Sequence, residues 1–306
     1  MIVREVWRYP VKSMAGERLE QSEVGANGLW GDRGWAVRDE TTGEIHNAKR
    51  FPRLMQCAAV YRDPPRPGFI PHVDVTFPEG EVLGSDAPSI HERLSDLMGH
   101  RVTLEKLRPA TDKAFYRRRD PGSAVMGTVA RSRTMRKVLS WAAGRGLAGG
   151  SVREEFGREA SEAMPDLTDI PAEIFEYYTP PGTFFDVYAI HVLTTSALQQ
   201  MSVLNPDASW DVRRFRPNVL VDTGSDAAGQ IETSWVGRTV RIGGFSVRGE
   251  IPTVRCAMPM HAQRDVPRDP SVLRTIVRDA GQCLGLYASI HEPGSVKVGA
   301  EVRIEN

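Results

Sequence analysis

Cysteine is scarce in this chain of 306 residues, with Cys57, Cys256 and Cys283 as its three. Odd in number and far apart, they exclude a disulfide framework and a zinc ribbon, and they read as reduced cytosolic thiols. Charge of neither sign is in excess, since 39 acidic residues face 39 basic ones. That balance argues against electrostatic capture of nucleic acid or of a membrane surface as the main activity. Long apolar runs are missing too. Met1 to Arg8 carries early charges and no stretch of signal length, and no later window approaches the roughly 20 apolar residues of a membrane span. The expectation is a cytoplasmic protein with nothing to cleave off.

Punctuation is abundant instead: 28 glycines and 21 prolines part short apolar segments along the whole chain. This pattern predicts a fold that is mainly β with some α, of the α+β class. Strands are expected over residues 2–9, 20–24, 35–39, 54–61, 73–77 and 102–107, with Thr41-Thr42-Gly43 as a hairpin turn. Ile90, Leu94, Leu97 and Met98 share one face of a helix over 89–98, which Gly99 closes, and His91 falls on its solvent side. Cys57 is expected to face a core.

Residues 1–107 thus form a compact amino-terminal β unit, and 108–180 differ in character. Lys113 to Asp120 is locally basic with two aromatics, a pattern that a nucleic-acid contact and a solvated charge run share. Helices are expected over 131–145 and 152–163, with Gly149-Gly150 as a break. Pro165, Pro171, Pro180 and Pro181 then keep the chain extended. This region reads as a partly helical insertion or lid. From 181 to 306 a second β unit follows, with strands at 187–193 and 219–222, helices at 197–204 and 271–279, and a closing hairpin at 293–304.

The chemistry gathers at the edges of these strands. Residues 235–250 alternate as two strands parted by Gly243-Gly244, which delivers Arg255-Cys256 to the point where a sheet gives way to a loop. A thiol beside a guanidinium is a candidate thiolate, able to ligate a soft metal or attack sulfur; a cysteine packed as a small hydrophobe is the competing reading. Lys12 and Ser13 follow Pro10 at the end of the first strand and suit an anion. Arg33 sits between Asp32 and Gly34, either near a ligand or paired with Asp32 in a turn. Thr194 precedes a helix, where its hydroxyl caps the helix or joins an anion seat. Arg216 and Asn218, held by Pro217, present a guanidinium fork and an amide at a strand entrance.

Taken in order, Pro10-Val11-Lys12-Ser13, Gly31-Asp32-Arg33, Leu193-Thr194-Thr195, Arg214-Phe215-Arg216-Pro217-Asn218, Arg255-Cys256 and Pro293-Gly294 with Val298-Gly299 resemble the MOSC family. That family includes the carboxy-terminal part of molybdenum cofactor sulfurase and the mitochondrial amidoxime reducing component. The resemblance implies an amino-terminal MOSC β-barrel domain over 1–107 and a β-barrel-like MOSC domain over 181–306, and it leaves the insertion uncovered. It also implies that Cys256 ligates molybdenum or handles sulfur. Lys12, Ser13, Arg33, Thr194, Arg216, Asn218 and Arg255 would hold the phosphate and pterin of the molybdenum cofactor. A phosphate dianion calls for several cations and a helix amino terminus, so the residue types agree in kind.

The implied activity is that of an oxidoreductase. A Cys256-ligated oxo-molybdenum would reduce an N-hydroxylated small molecule with electrons from a separate donor protein, because no ferredoxin-like cysteine cluster follows Cys283. Val254 stands where animal amidoxime reducers carry serine, and Pro259-Met260-His261-Ala262 where they carry Thr-Thr-Val-Asp. His261 is the candidate proton source, with a structural histidine in a loop as the competing reading. Two alternatives stay open: a sulfurtransferase acting through a Cys256 persulfide, and a cofactor carrier without turnover. No pyridoxal phosphate is expected, since no lysine stands in a Schiff-base setting.

Overall fold

A computed structural model describes residues 1–119, 123–145 and 150–305. In chain order the strands are β1 (Ile2–Arg8), β2 (Glu17–Leu19), β3 (Gln21–Gly25), β4 (Gly28–Leu29), β5 (Trp35–Asp39), β6 (Ala58–Tyr61), β7 (Val73–Thr76) and β8 (Val82–Gly84). They continue as β9 (Val102–Lys106), β10 (Ile190–Thr194), β11 (Val219–Asp222), β12 (Thr239–Ile242), β13 (Phe245–Val254), β14 (Cys283–Glu292), β15 (Gly294–Lys297) and β16 (Val302–Glu305). Eight of them form one sheet in the order β16-β12-β13-β14-β10-β11-β1-β2.

Side-chain alternation gives this sheet two covered faces. On one face Ile190, Val192, Val219, Val221, Leu286 and Ala288 share a core. Their neighbours Leu193 and Leu220 point the other way, against Ala197 and Met201 of helix Thr195–Leu204 and Val272 and Ile276 of helix Pro270–Asp279, and Leu284 joins them because the register of β14 against β13 shifts between Pro252 and Val254. Covering both faces explains why β10 is buried at every position and reads as an unbroken apolar run. In β1, Val3 and Val6 are both buried although three residues apart, because the register against β11 shifts between Val3 and Glu5. The extra residue of such a bulge turns the following side chains back to the core. The sheet curls until its ends meet: the Val3 N–H donates to Ala300 O at 2.8 Å and the Val302 N–H to Met1 O at 2.9 Å.

A second core draws on Val11 and Met14, then on residues from Trp35 to Leu104, including Cys57 and the buried face of helix Ile90–Met98. The expected boundary at residue 107 therefore does not divide the two cores. β1 and β2 lie in the large sheet, and β3 pairs with β15, so the strands before about residue 30 serve the carboxy-terminal unit while Val11 and Met14 between them join the second core.

Other expectations are corrected in detail. Residues 54–61 are not one strand: Pro52, with its fixed φ, opens a 3-10 turn over Pro52–Gln56 before β6 begins. The segment 293–304 is not a hairpin, since β15 pairs with β3 and β16 with β12. The turn between them is held across β1, where the Gly299 N–H donates to Val3 O at 2.8 Å. In the insertion, short helices occupy Lys113–Tyr116, Ser123–Ala130, Arg133–Gly144, Gly150–Phe156 and Glu173–Glu176. The helix expected to reach residue 163 stops at Phe156, before Gly157 at φ 61°. Asp120 and Gly149 lie outside the described residues, while Gly150 opens a helix instead of breaking one. The aromatics of the basic segment, Phe115 and Tyr116, are buried against Phe184. Among the described residues no helix is long and apolar enough to cross a membrane.

Leu286 is 0% exposed at the centre of the first core. Leu286→Ala is expected to lower the stability measured by urea denaturation by about 2–5 kcal/mol, the usual result of removing those atoms and leaving a cavity. A loss under about 1 kcal/mol would contradict this packing.

Candidate functional site

Three backbone segments converge on one cleft, each carrying a non-glycine residue at positive φ. Ser13 (φ 70°), Arg33 (φ 52°) and Arg216 (φ 54°) are three of the five such residues among those described. Each costs roughly 1–2 kcal/mol of backbone strain, so their gathering at one place points to a site that the fold maintains. The segment after β1 is anchored by the Lys12 N–H donating to Trp35 O at 2.8 Å, and the Arg33 N–H donates to Tyr9 O at 2.7 Å. Cys256 follows the end of β13 and is half-buried beside them. The cleft encloses a cavity of about 70 Å³ that opens to solvent, and Asp186, His191 and Tyr287 help to line it.

Its electrostatics are dominated by buried and half-buried cations. Lys12 is bound by Phe184 O at 2.8 Å and by Asp186, and burial pushes its pKa down against that partner. Burial opposes the charge of Asp186, but Lys12 and Lys49 outweigh it and hold the carboxyl well below its usual range. The Arg33 guanidinium pairs with Asp32, whose attraction overcomes the burial penalty. Lys49 stays charged through Cys256, Asp186 and Glu155, again against burial. Arg216 is the exception. Only 7% exposed, it donates from Nη1 to Met14 O at 2.5 Å and stacks 4.1 Å from the Tyr9 ring centre, yet its Nη2 has no partner. Burial brings its pKa down to about 10, so it remains a cation at neutral pH with an unfilled donor. A buried unmet donor of this kind is what an incoming anion would satisfy.

The guanidinium of Arg255 is occupied. Nε donates to Leu284 O at 2.9 Å, Nη1 to Phe215 O at 3.1 Å, and Nη2 to His191 Nε2 at 2.8 Å as well as to Leu284 O. Because a guanidinium can only donate, His191 Nε2 must be an acceptor, which puts the ring proton on Nδ1, 3.3 Å from Arg216 O. Burial, with Arg255 adding to it, holds this imidazole neutral, well below its ordinary pKa. Gly285, at φ 87°, makes room for it, since a Cβ there would lie 2.4 Å from His191 Nε2.

The insertion braces the cysteine from behind. Arg158 donates from Nη2 to Arg255 O at 2.9 Å, and the Ala257 N–H donates to Glu155 O at 3.1 Å. Gly157 touches the same loop, where a Cβ would lie 3.2 Å from Ala257.

The structure brings Lys12, Ser13, Arg33, Arg216, Arg255 and Cys256 together around the cleft and leaves three expected residues outside its lining. The Thr194 hydroxyl donates to Glu232 Oε2 at 2.6 Å and accepts from the Ala197 N–H at 3.2 Å, so it acts as a helix cap. Asn218 is a buried clip: its Oδ1 accepts from the His191 N–H at 3.1 Å and its Nδ2 donates to Asp32 Oδ2 at 3.0 Å. Met258 and Pro259 still line the cleft, and the 3-10 turn over Met258–Met260 then carries His261 out of its lining, where Arg214 reaches its carbonyl at 3.4 Å. Ser13 does line the cleft, with its hydroxyl oxygen accepting from the Ala48 N–H at 3.0 Å.

Compared with known proteins, residues 1–87 match the MOSC N-terminal beta barrel domain and residues 181–303 match the MOSC domain, in that order and over more than half of the chain. The chain belongs to the MOSC family. No curated protein matches it. Among solved structures it is similar to the YuaD protein from Bacillus subtilis, at 10% identity and a TM-score of 0.41, over 99% of this chain and 93% of that one. It is also similar to YiiM from Geobacillus stearothermophilus, at 15% identity and a TM-score of 0.28, over 39% of this chain and 55% of that one. The unmatched residues of this MOSC protein, 88–180, include the Glu155–Arg158 brace.

Lys49, Asp186, His191 and Tyr287 escaped the sequence reading. Asp186 had one local signal, a lone carboxylate behind Phe184-Phe185 at the approach to a strand, but His191 and Tyr287 sit in runs that read as plain strands. His191 has a consequence for acid stability. Below the ordinary histidine pKa the unfolded chain takes up a proton that native His191 refuses, so stability falls with falling pH by up to about 1.4 kcal/mol per pH unit. His191→Gln removes that contribution and is expected to flatten the stability profile between about pH 6 and about pH 5 by close to this slope. Parallel profiles for the two proteins would contradict a neutral, buried His191.

Proposed function

We propose that this MOSC protein binds a molybdenum cofactor in the Cys256 cleft and reduces N-hydroxylated small molecules with electrons from a separate protein. The observation that carries the reading is the unpartnered Nη2 of buried Arg216 in the same cleft as a half-buried thiol. The same cleft thereby offers a partner for a phosphate and a ligand for a soft metal, which is the donor set that a phosphorylated, metal-bearing pterin requires. Arg216 and Arg33 would hold the anionic end and Cys256 would ligate the metal, while Lys12 keeps Asp186 in place. When bound, the cofactor supplies two-electron redox chemistry.

Reduction of an N–OH group consumes two electrons and two protons, breaks the N–O bond, and yields the N–H compound and water. The chain must supply the protons, and the cleft narrows the choice of donor. His191 has both ring nitrogens engaged, and Asp186 is held ionised. Tyr287 lines the cleft with its phenol pushed up to about 12, chiefly by burial, so it keeps its proton at neutral pH. It takes the proton-delivering role that the sequence reading gave to His261. The alternatives, a Cys256 persulfide and a carrier without turnover, draw on the same thiol and the same cations.

Expression in a cofactor-producing host, followed by molybdenum and pterin analysis, tests the reading. The wild-type protein should hold both and reduce an N-hydroxyamidine with a chemically reduced viologen as donor. Arg216→Ala should lose at least about tenfold in pterin content, and Cys256→Ser should abolish reduction. Sulfur added to the Cys256 peptide by mass in a molybdenum-free protein would favour sulfur transfer. Bound cofactor with no reduction would favour the carrier.

A further inference from the structure

The end of β5 holds a second cluster of ligand-type side chains, none of which lines the Cys256 cleft. Asp39, His46 and His100 each offer one ligand atom, and these atoms lie within 4.8 Å of one another. The Asp39 carboxylate is fixed by its neighbours: Oδ1 accepts from the Thr41 N–H at 2.6 Å and the Thr42 N–H at 2.9 Å, leaving Oδ2 to face the two imidazoles. His100 Nε2 lies 2.6 Å from Oδ2 and His46 Nε2 lies 3.3 Å from it.

An aspartate–histidine hydrogen bond accounts for His100 but not for His46. That residue is 2% exposed, and its Nε2 is a buried polar atom with no hydrogen-bond partner. Leaving such an atom unmet costs about 1–3 kcal/mol, and one cation at the centre of the three residues would satisfy it. We infer that Asp39, His46 and His100 form a binding site for a divalent metal ion of the zinc type, separate from the Cys256 cleft.

Of the two spacings between Asp39 and the histidines, one already suits zinc ligation and the other lies close to it. Zinc–nitrogen and zinc–oxygen bonds near 2.0–2.1 Å in a tetrahedron place ligand atoms about 3.3 Å apart, as His46 and Asp39 already are. His100 must withdraw by roughly 0.7 Å to meet the same spacing. It is free to do so, because it follows Gly99 at the end of its helix and its side chain is 37% exposed. The set of two imidazoles and one carboxylate suits a borderline divalent ion, and His100 also lines a surface cleft with Ser95 and Arg101. Binding would tie the end of β5, the loop at 45–51 and the end of helix Ile90–Met98 to one point.

Chelator-stripped full-length protein, titrated with zinc chloride in a calorimeter, tests this site. One equivalent should bind wild type, and His100→Ala should weaken binding by at least about tenfold, the usual effect of disturbing a metal site. Cys256→Ser should retain the full stoichiometry. Cobalt substitution of the wild type gives an independent reading, with visible d–d bands and no thiolate charge-transfer band. Absence of zinc binding, equal affinity in His100→Ala, or a thiolate band from cobalt would each overturn the assignment.

Discussion

One hydrogen-bonded relay holds the Cys256 site in shape: Arg255 to His191, His191 to the Arg216 carbonyl, and the Arg216 side chain to the Met14 carbonyl. It begins on the cysteine loop, crosses β10, and ends on the segment that carries Lys12 and Ser13. Each step limits the next. The guanidinium of Arg255 fixes the imidazole tautomer, the imidazole holds the backbone of a residue in strained geometry, and that residue reaches across to the amino-terminal chain. A thiol at the end of β13 is thereby set in register with cations from segments that are remote in sequence.

The relay also separates two uses of positive charge. Arg255 and Arg214 lie against backbone carbonyls and act as fasteners, each with its donors spent inside the protein. Lys12 and Arg33 are paired with carboxylates. Of these cations, Arg216 leaves a buried donor unfilled, and it does so in the cleft that Cys256 lines. Leaving a guanidinium nitrogen dry and unmet is unfavourable for a structural residue and reasonable for one that awaits an anion.

Much of this was legible in the sequence, for reasons that can be named. The Gly243-Gly244 turn and the alternation around it marked where a strand would deliver Cys256, and Pro10 marked where β1 would release Lys12. The residue types at these strand ends, together with the order of the motifs, carried the family. What local sequence could not show is which polar groups the fold itself consumes. The Thr194 hydroxyl is taken by Glu232 and the Asn218 amide by Asp32, both distant partners. Lys49, Asp186 and Tyr287 were invisible for the same reason, since only the closed fold puts them near residue 256. The closing segment misled because a two-strand pattern says nothing about whether the strands pair with each other.

The account rests on residues 216 and 256 serving one bound group. A crystal structure of the cofactor-loaded protein, with data collected at the molybdenum absorption edge, tests that most directly. The predicted result is one anomalous peak within bonding distance of the Cys256 Sγ, with phosphate density against Arg216 Nη2. A metal peak away from the thiol, or a pterin whose phosphate leaves Arg216 Nη2 without a partner, would contradict it.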